Sequence, residues 1–199
     1  MDNATVAWIS GGSAIGGGLV AGLLSGAYEH VRHWSSRPKL CLDYGEKEEA
    51  SIVSVVTGTN EGNLNHLYVR VRLRNTGQRI AKHCVVYLAS IEEVHESGNK
   101  ATAFSDAMPL SWPLNDYKPR DIPNGADFYL DLVKISKHVE SWALGVQQLY
   151  ASQLPMLKFK GTYRFHLVAT ADNAESVKCT VDVKYAQDWN TLRAFPVCS

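Results

Sequence analysis

An uncharged run near the start of the chain is the feature that most limits its fold. The run extends from Ala4 to Tyr28, between Asp2 and Glu29, and holds seven of the 15 glycines. A helix of this length, at about 1.5 Å per residue, matches the ~30 Å hydrocarbon core of a bilayer. Each interior glycine costs a helix in water about 1 kcal/mol relative to alanine, whereas a bilayer forces the backbone to close its own hydrogen bonds. The run therefore predicts a transmembrane helix.

Small side chains collect on one side of this predicted helix, within a sector of about 120° at about 100° per residue. The members of this small face are Ala7, Ser10, Gly11, Ala14, Gly18, Ala21, Gly22 and Ser25. Glycines four residues apart, as in a glycine zipper, let two helix backbones approach closely in lipid. The alternative is that glycine is simply common in membrane helices. We expect a homo-oligomer, with a helix–helix interface formed by Ala7, Gly11, Ala14, Gly18, Gly22 and Ser25.

The same glycines permit a second interpretation. Gly12-xxx-Gly16-x-Gly18, after the apolar residues 6–9, resembles the glycine-rich turn of short-chain dehydrogenases. That resemblance implies a dinucleotide held at a helix N-terminus, with Arg37 near the place where a 2′-phosphate is selected. The rest of the family's pattern is absent, because the sequence has no Tyr-xxx-Lys pair and no alternating β and α units. A dehydrogenase-like enzyme therefore stays a remote alternative.

The flanks of the run predict its orientation. Only three residues precede it, whereas Arg32, Arg37 and Lys39 follow it, and positive charge stays on the cytoplasmic side of a membrane. Tyr28, Arg32 and Trp34 suit the membrane–water interface, where aromatic rings and basic groups accumulate. We expect a single-pass protein of a bacterial inner membrane with a cytoplasmic C-terminal domain.

These features divide the chain into an anchor with its juxtamembrane segment (1–34), a linker (35–38) and one domain (39–199). Twenty basic residues balance 20 acidic ones, so no net charge attracts nucleic acid. Four widely spaced cysteines show no C-x-x-C pair, which predicts buried free thiols in a reducing compartment. They are Cys41, Cys84, Cys179 and Cys198.

The domain shows the two-residue period of β-strands. In the clearest segment the apolar residues Leu67, Val69, Val71 and Leu73 alternate with Tyr68, Arg70, Arg72 and Arg74. A second alternating pair of segments, 163–169 and 177–185, predicts a hairpin. Seven or eight such strands predict an all-β, antiparallel β-sandwich. The spacing of Val139, Trp142 and Val146 predicts one short inserted helix over 138–152.

One turn carries a resemblance. Asn75-Thr76-Gly77, with a small residue at Ala81 and an apolar strand over 84–91, resembles a hairpin of immunoglobulin-like sandwich domains in bacterial surface and membrane-anchored proteins of unknown function. The resemblance covers about 25 residues and implies an immunoglobulin-like fold. It implies no functional residues.

The sequence holds no nucleophile elbow, P-loop, zinc-protease motif or cysteine pair for a metal. We therefore predict no enzyme activity, no cofactor and no metal. Three alternating arginines share one face of a strand, where acidic neighbours or an anionic ligand would compensate them. The candidate ligand-binding residues, with two cations across the following turn, are Arg70, Arg72, Arg74, Arg79 and Lys82. We expect charge reversal at Arg70 and Arg72 to abolish function without unfolding the domain.

Two functions follow from this organisation. In the first, a membrane-anchored β-sandwich module self-associates through its helix and binds a protein partner or an anionic ligand. In the second, an oligomeric bacterial effector, for example in anti-phage defence, perturbs the membrane when its sandwich binds a ligand. Depolarisation of cells on overexpression distinguishes the second from the first.

Overall fold

The structure, a computed structural model, describes residues 36–45, 51–59, 62–102, 104, 106–114, 116–136, 139–146, 160–186 and 188–197. The chain divides between Arg37 and Pro38, and the unit from Pro38 to Ser199 holds almost all of the described residues. Among these residues, no helix is both long enough and apolar enough to cross a membrane. The predicted transmembrane segment, 4–28, lies outside the described part of the chain.

A five-stranded antiparallel sheet is built around one long strand. Its strands are β1 (Leu40–Asp43), β2 (Ile52–Thr59), β3 (Gly62–Asn75), β8 (Asp127–Ser136) and β9 (Val139–Leu144). β8 pairs with one edge of β3, and β9 pairs with β8. The other edge of β3 is shared, because β2 pairs with its first half and β1 with its last four residues.

A seven-stranded antiparallel sheet is organised around one long strand and one long hairpin. Its strands are β4 (Ala81–Glu93), β5 (Lys100–Ala101), β6 (Met108–Pro109), β7 (Arg120–Ile122), β10 (Lys160–Ala171), β11 (Ala174–Ala186) and β12 (Arg193–Pro196). The order is β12-β11-β10-β4, and the three short strands β5, β6 and β7 pair along the remaining edge of β4. A 3₁₀ helix, Trp189–Thr191, precedes β12.

The core lies on the apolar faces of both sheets, as the alternation predicts. Leu67, Val69, Val71 and Leu73 of β3 are all buried. The matching residues of β10 are buried as well, and all of these residues belong to one apolar cluster: Tyr163, Phe165, Leu167 and Ala169. Each large side chain buried in this way stabilises the fold by about 1.5–3 kcal/mol. The all-β, two-sheet prediction is confirmed.

The predicted hairpin at residues 75–78 is wrong, because the two strands beside it belong to different sheets. Asn75 is fully buried, and its amide holds the link between them. Its Oδ1 accepts from the backbone amides of Lys39 (3.1 Å) and Gly77 (3.0 Å). Its Nδ2 donates to the carbonyls of Arg79 (2.7 Å) and Ile122 (3.0 Å). The sequence predicted the turn at Asn75, but it did not show which strands the following strand pairs with.

The predicted helix over 138–152 is also wrong over its first half, where the chain forms β9. The edge of β8 supplies backbone partners that an isolated helical turn lacks, so pairing overrides the helical spacing. Gly145, directly after β9, donates its amide to the Leu132 carbonyl at 3.0 Å. A Cβ at this glycine would lie 1.8 Å from the Asp131 carbonyl oxygen, so only glycine fits. Residues 147–152 lie outside the described part of the chain.

The three described cysteines are free, as predicted. Cys84 is buried, and Cys41 and Cys179 are half-buried. Burial raises the pKa of Cys84 and of Cys179 to about 11, so both thiols are protonated at neutral pH. Cys198 lies outside the described residues.

Candidate anion-binding site on the five-stranded sheet

The arginines of β3 lie together on the sheet face opposite the core, as their alternation predicts. Their side chains are half-buried, with 19%, 15% and 38% exposure for Arg70, Arg72 and Arg74. Tyr68 lies on the same face because it is two residues from Arg70 along the strand. This face, from Tyr68 to Arg74, has two ends that differ in how the cations are paired.

At one end, which we call the closed end, Arg72 and Arg74 bind two carboxylates. Arg72 donates from Nε and Nη2 to the two carboxylate oxygens of Asp43, at 2.9 and 3.0 Å. Arg74 makes the same two-point contact with Asp127. The Arg74 hydrogen bond holds the pKa of Asp127 below its usual value. Two-point contacts of this kind use the guanidinium fork that would otherwise bind a ligand anion.

At the other end, which we call the open end, Arg70 makes a single-point contact. Its Nε donates to Asp131 Oδ1 at 2.7 Å. Within the described part of the chain, no hydrogen-bond acceptor meets its two terminal amino groups, and its guanidinium carbon lies 5.4 Å from the centroid of the Tyr68 ring. Lys134 Nζ lies 5.6 Å from the same centroid. Two cations therefore flank one aromatic ring.

A β-bulge brings Lys134 to this end. The register between β3 and β8 shifts by one residue, so that Val69 pairs with Val133 whereas Arg70 pairs with Asp131. The extra residue, Leu132, is buried. Without the bulge Asp131 and Lys134, three residues apart, would point to opposite faces of β8. With it, both lie on the arginine face.

His66 supports the aromatic ring without adding charge. It is only 5% exposed, and its Nδ1 lies 2.9 Å from Ser136 Oγ. Its ring meets the Tyr68 ring edge to face, with 6.3 Å between centroids. Burial, and next the positive charge of Lys134, lower the pKa of His66, so the imidazole is neutral at pH 7.

The open end of this face carries an excess of positive charge. Asp43, Asp127 and Asp131 neutralise the three arginines, and Lys134 meets no carboxylate among the described side chains. An anion with several oxygens could accept from the terminal amino groups of Arg70 and from the Lys134 ammonium. Guanidinium and ammonium groups together suit phosphate, the first as a fork and the second as a point charge.

Arg79 and Lys82 are not part of the row. Arg79 lies on the link between the sheets, and Lys82 lies at the start of β4, where the β10–β11 turn docks. The Lys82 amide donates to Asn173 Oδ1 at 2.9 Å, and its carbonyl accepts from the Asp172 amide at 3.0 Å. The structure thus brings together three of the five predicted ligand-binding residues.

The remaining predicted residues lie outside the described part of the chain. They are the helix–helix interface, Ala7, Gly11, Ala14, Gly18, Gly22 and Ser25, and the membrane-interface residues, Tyr28, Arg32 and Trp34. Among the described residues, no group of three or more acidic, histidine or cysteine side chains could hold a metal ion.

Sequence reasoning missed Tyr68 and Lys134 as site residues. The alternation of β3 already placed Tyr68 on the arginine face, so its position was a usable signal. Lys134 could not be found in this way, because its face depends on the bulge at Leu132.

No protein-family model, no curated protein and no solved structure matches the chain.

Proposed function

We propose that the chain is a membrane-anchored interaction module, with an immunoglobulin-like β-sandwich that binds a phosphate-bearing anion at the open end. The single observation that carries the binding is the pairing pattern of the arginine row. Arg72 and Arg74 use their forks on carboxylates, whereas Arg70 keeps two terminal amino groups beside Lys134 and Tyr68. Charge-assisted contacts of this type are the strong ones in phosphate recognition.

The anchor in this proposal is the uncharged run 4–28, with the sandwich on the cytoplasmic side. The intact chain should sediment with membranes and resist carbonate extraction, and a reporter at its C-terminus should be active in the cytoplasm. A full-length chain that stays in solution without detergent would contradict the anchor.

The helices of several copies associate through the small face. Gly18→Leu or Gly22→Leu places a bulky side chain in this contact and should dissociate the oligomer in detergent while leaving insertion intact. Leu19→Ala, on the other arc of the helix, is the matched control. If all three variants keep the wild-type oligomeric state, the small face is not the interface.

The phosphate could belong to a lipid headgroup or to a soluble molecule, and reconstitution distinguishes the two. The full-length protein is placed in two sets of nanodiscs of equal negative surface charge, one with phosphatidic acid and one with a fatty acid as the anionic lipid, and titrated with pyrophosphate. A headgroup ligand competes, so phosphatidic acid lowers the apparent affinity for pyrophosphate relative to the fatty acid. A soluble ligand leaves the affinity similar in both lipids, and no binding in either contradicts the proposed site.

A further inference from the structure

Strand β2 leaves one of its edges without a partner among the described residues. It pairs with β3 from Ile52 to Thr59, and no other described strand pairs with it. A free strand edge presents a row of backbone amides and carbonyls that another strand can use.

The register shows which residues of β2 form this edge. The Arg70 amide donates to the Ser51 carbonyl at 2.8 Å, one step before the pair Ile52–Val69. In an antiparallel ladder, hydrogen-bonding residues alternate, so the odd-numbered residues of β2 bind β3. The even-numbered residues therefore direct their amides and carbonyls away from β3: Ile52, Ser54, Val56 and Gly58.

The sequence of β2 carries none of the usual protection of an edge. Its residues, IVSVVTGT, include no charge and no proline, and six of the eight are β-branched. Val56 is 58% exposed. In contrast, the edge strand β12 of the other sheet contains Arg193 and Pro196, two devices that discourage pairing.

We propose that two copies of this chain pair through β2, antiparallel and about a two-fold axis at Val55. This register pairs the outward residue Ile52 with Gly58 of the second copy, and Ser54 with Val56, so all four outward residues of each strand form hydrogen bonds. The two five-stranded sheets then become one continuous sheet.

A second copy fits this edge better than an unrelated strand for two reasons. A two-fold axis brings the residues of one strand close to the same residues of its copy, and β2 has no charged residue that would meet a like charge there. An uncharged edge also offers no charge pattern by which a particular foreign strand would be selected. The inference rests on the proposed anchoring only for the high local concentration of copies in the membrane.

Cross-linking of the full-length chain in detergent tests the pairing. Val55→Cys places two thiols on the axis, with Cβ atoms about 4.5–5.5 Å apart, close enough for a disulfide after small movements. Val53→Cys is the matched control, because it lies on the same face of β2 and is likewise half-buried. Its two copies would be four positions apart, about 13 Å, which is beyond the reach of a disulfide.

Cys41 and Cys198 are replaced by serine in both variants. Cys84 and Cys179 can stay, because burial raises the pKa of both thiols to about 11. We expect a cross-linked dimer with Val55→Cys and at least about tenfold less with Val53→Cys. Adding Ser54→Lys together with Val56→Lys places like charges directly opposite each other and should remove the cross-link, whereas Ile80→Lys, at another exposed apolar residue (49% exposed), should not.

Equal cross-linking at Val53 and Val55, its absence at both, or its survival with Ser54→Lys and Val56→Lys would each overturn the inference. The same holds for a cross-link that joins β2 to another segment of its own chain. The proposed function fails separately: loss of membrane retention with an intact Val55 cross-link contradicts the anchor alone. Retained insertion without the cross-link contradicts the β2 pairing alone.

Discussion

The two ends of the arginine row on β3 use the same residue type in different ways. At the closed end, Arg72 and Arg74 each engage a carboxylate at two points. At the open end, Arg70 reaches Asp131 at one point and shares the Tyr68 ring with Lys134. On the other sheet Arg164 engages Asp182 at two points, both 2.8 Å. Two-point pairing is thus common in this domain, and Arg70 departs from it.

The neighbouring strands explain the difference. Beside the closed end, β1 supplies Asp43 and β8 supplies Asp127, so acids flank the arginines on both sides. Beside the open end β2 replaces β1, and Ser51 lies next to Arg70 where an acid would complete the pattern. A switch of edge strand, rather than a change in β3 itself, leaves the terminal donors of Arg70 available.

Charge reversal at Arg70 and Arg72 should have the largest effect on stability. The sequence alone predicted a folded domain without function, whereas the structure predicts that the domain does not fold. Asp131 is 9% exposed and Arg70 19%, so Arg70→Glu would place two carboxylates together in a nearly buried position. Breaking a buried pair costs about 3–5 kcal/mol. We expect the double variant, Arg70→Glu with Arg72→Glu, to fail to fold, as measured by far-ultraviolet circular dichroism and urea unfolding. A wild-type unfolding midpoint would show that the pairs contribute nothing.

Removing one charge from either end should change the free energy of unfolding less, and by different amounts at the closed and the open end. Asp43→Ala leaves the half-buried Arg72 without its two-point partner and should lower the free energy of unfolding by about 1–3 kcal/mol. Lys134→Gln leaves no acid unpaired and should change it by less than about 0.5 kcal/mol. Urea unfolding of both variants checks this order, and the reverse order would contradict the assignment of closed and open ends.

The sequence predicted the arginine face because a period of two residues depends only on local geometry. The same reasoning gave the buried residues of β3 and β10. It could not give the partners of these strands, since pairing joins residues far apart in the chain. Asn75 marked a turn in the sequence, yet whether the next strand stays in the sheet depends on contacts with Lys39 and Ile122.

The site residues also divide into those that local geometry predicts and those that depend on long-range pairing. Arg70, Arg72 and Arg74 came from the alternation, whereas Arg79 and Lys82 were assigned on the assumption of a hairpin that the chain does not form. Lys134 depended on a one-residue bulge, and β9 depended on the available edge of β8. Long-range pairing fixed each of these features.

The exposed pair of His83 and Asp172 should have the smallest effect on stability. His83 Nδ1 lies 2.6 Å from Asp172 Oδ2, and that hydrogen bond raises the pKa of His83 above its ordinary value of 6.5. Asp121 raises this pKa further, and Lys82 opposes the rise. A raised folded-state pKa means that the stabilisation is complete below pH 6.5 and is lost as the pH rises through the folded value.

Because both side chains are about two-thirds exposed, the loss should be small. A nuclear magnetic resonance titration of His83 should show the raised pKa in the wild type and a lower pKa in Asp172→Asn. An unchanged titration in that variant would remove Asp172 as the cause.

The most direct test of the account is the affinity of the open end for an anion. Full-length protein in an uncharged detergent is titrated with pyrophosphate at low salt, as the wild type and as three variants, two of which each remove one lysine charge. Lys134→Gln removes the cation beside Tyr68, and Lys82→Gln removes an exposed cation at the start of β4. Arg70→Lys keeps a cation for Asp131 but removes the terminal fork.

Loss of a charge-assisted hydrogen bond costs about 1.5–3 kcal/mol, and 1.4 kcal/mol corresponds to tenfold in affinity. The account predicts that Lys134→Gln and Arg70→Lys each weaken pyrophosphate binding by about tenfold or more, with less than about a twofold change for Lys82→Gln. Equal weakening by Lys134→Gln and Lys82→Gln would contradict it, because the anion would then respond to the overall charge of the domain rather than to the open end.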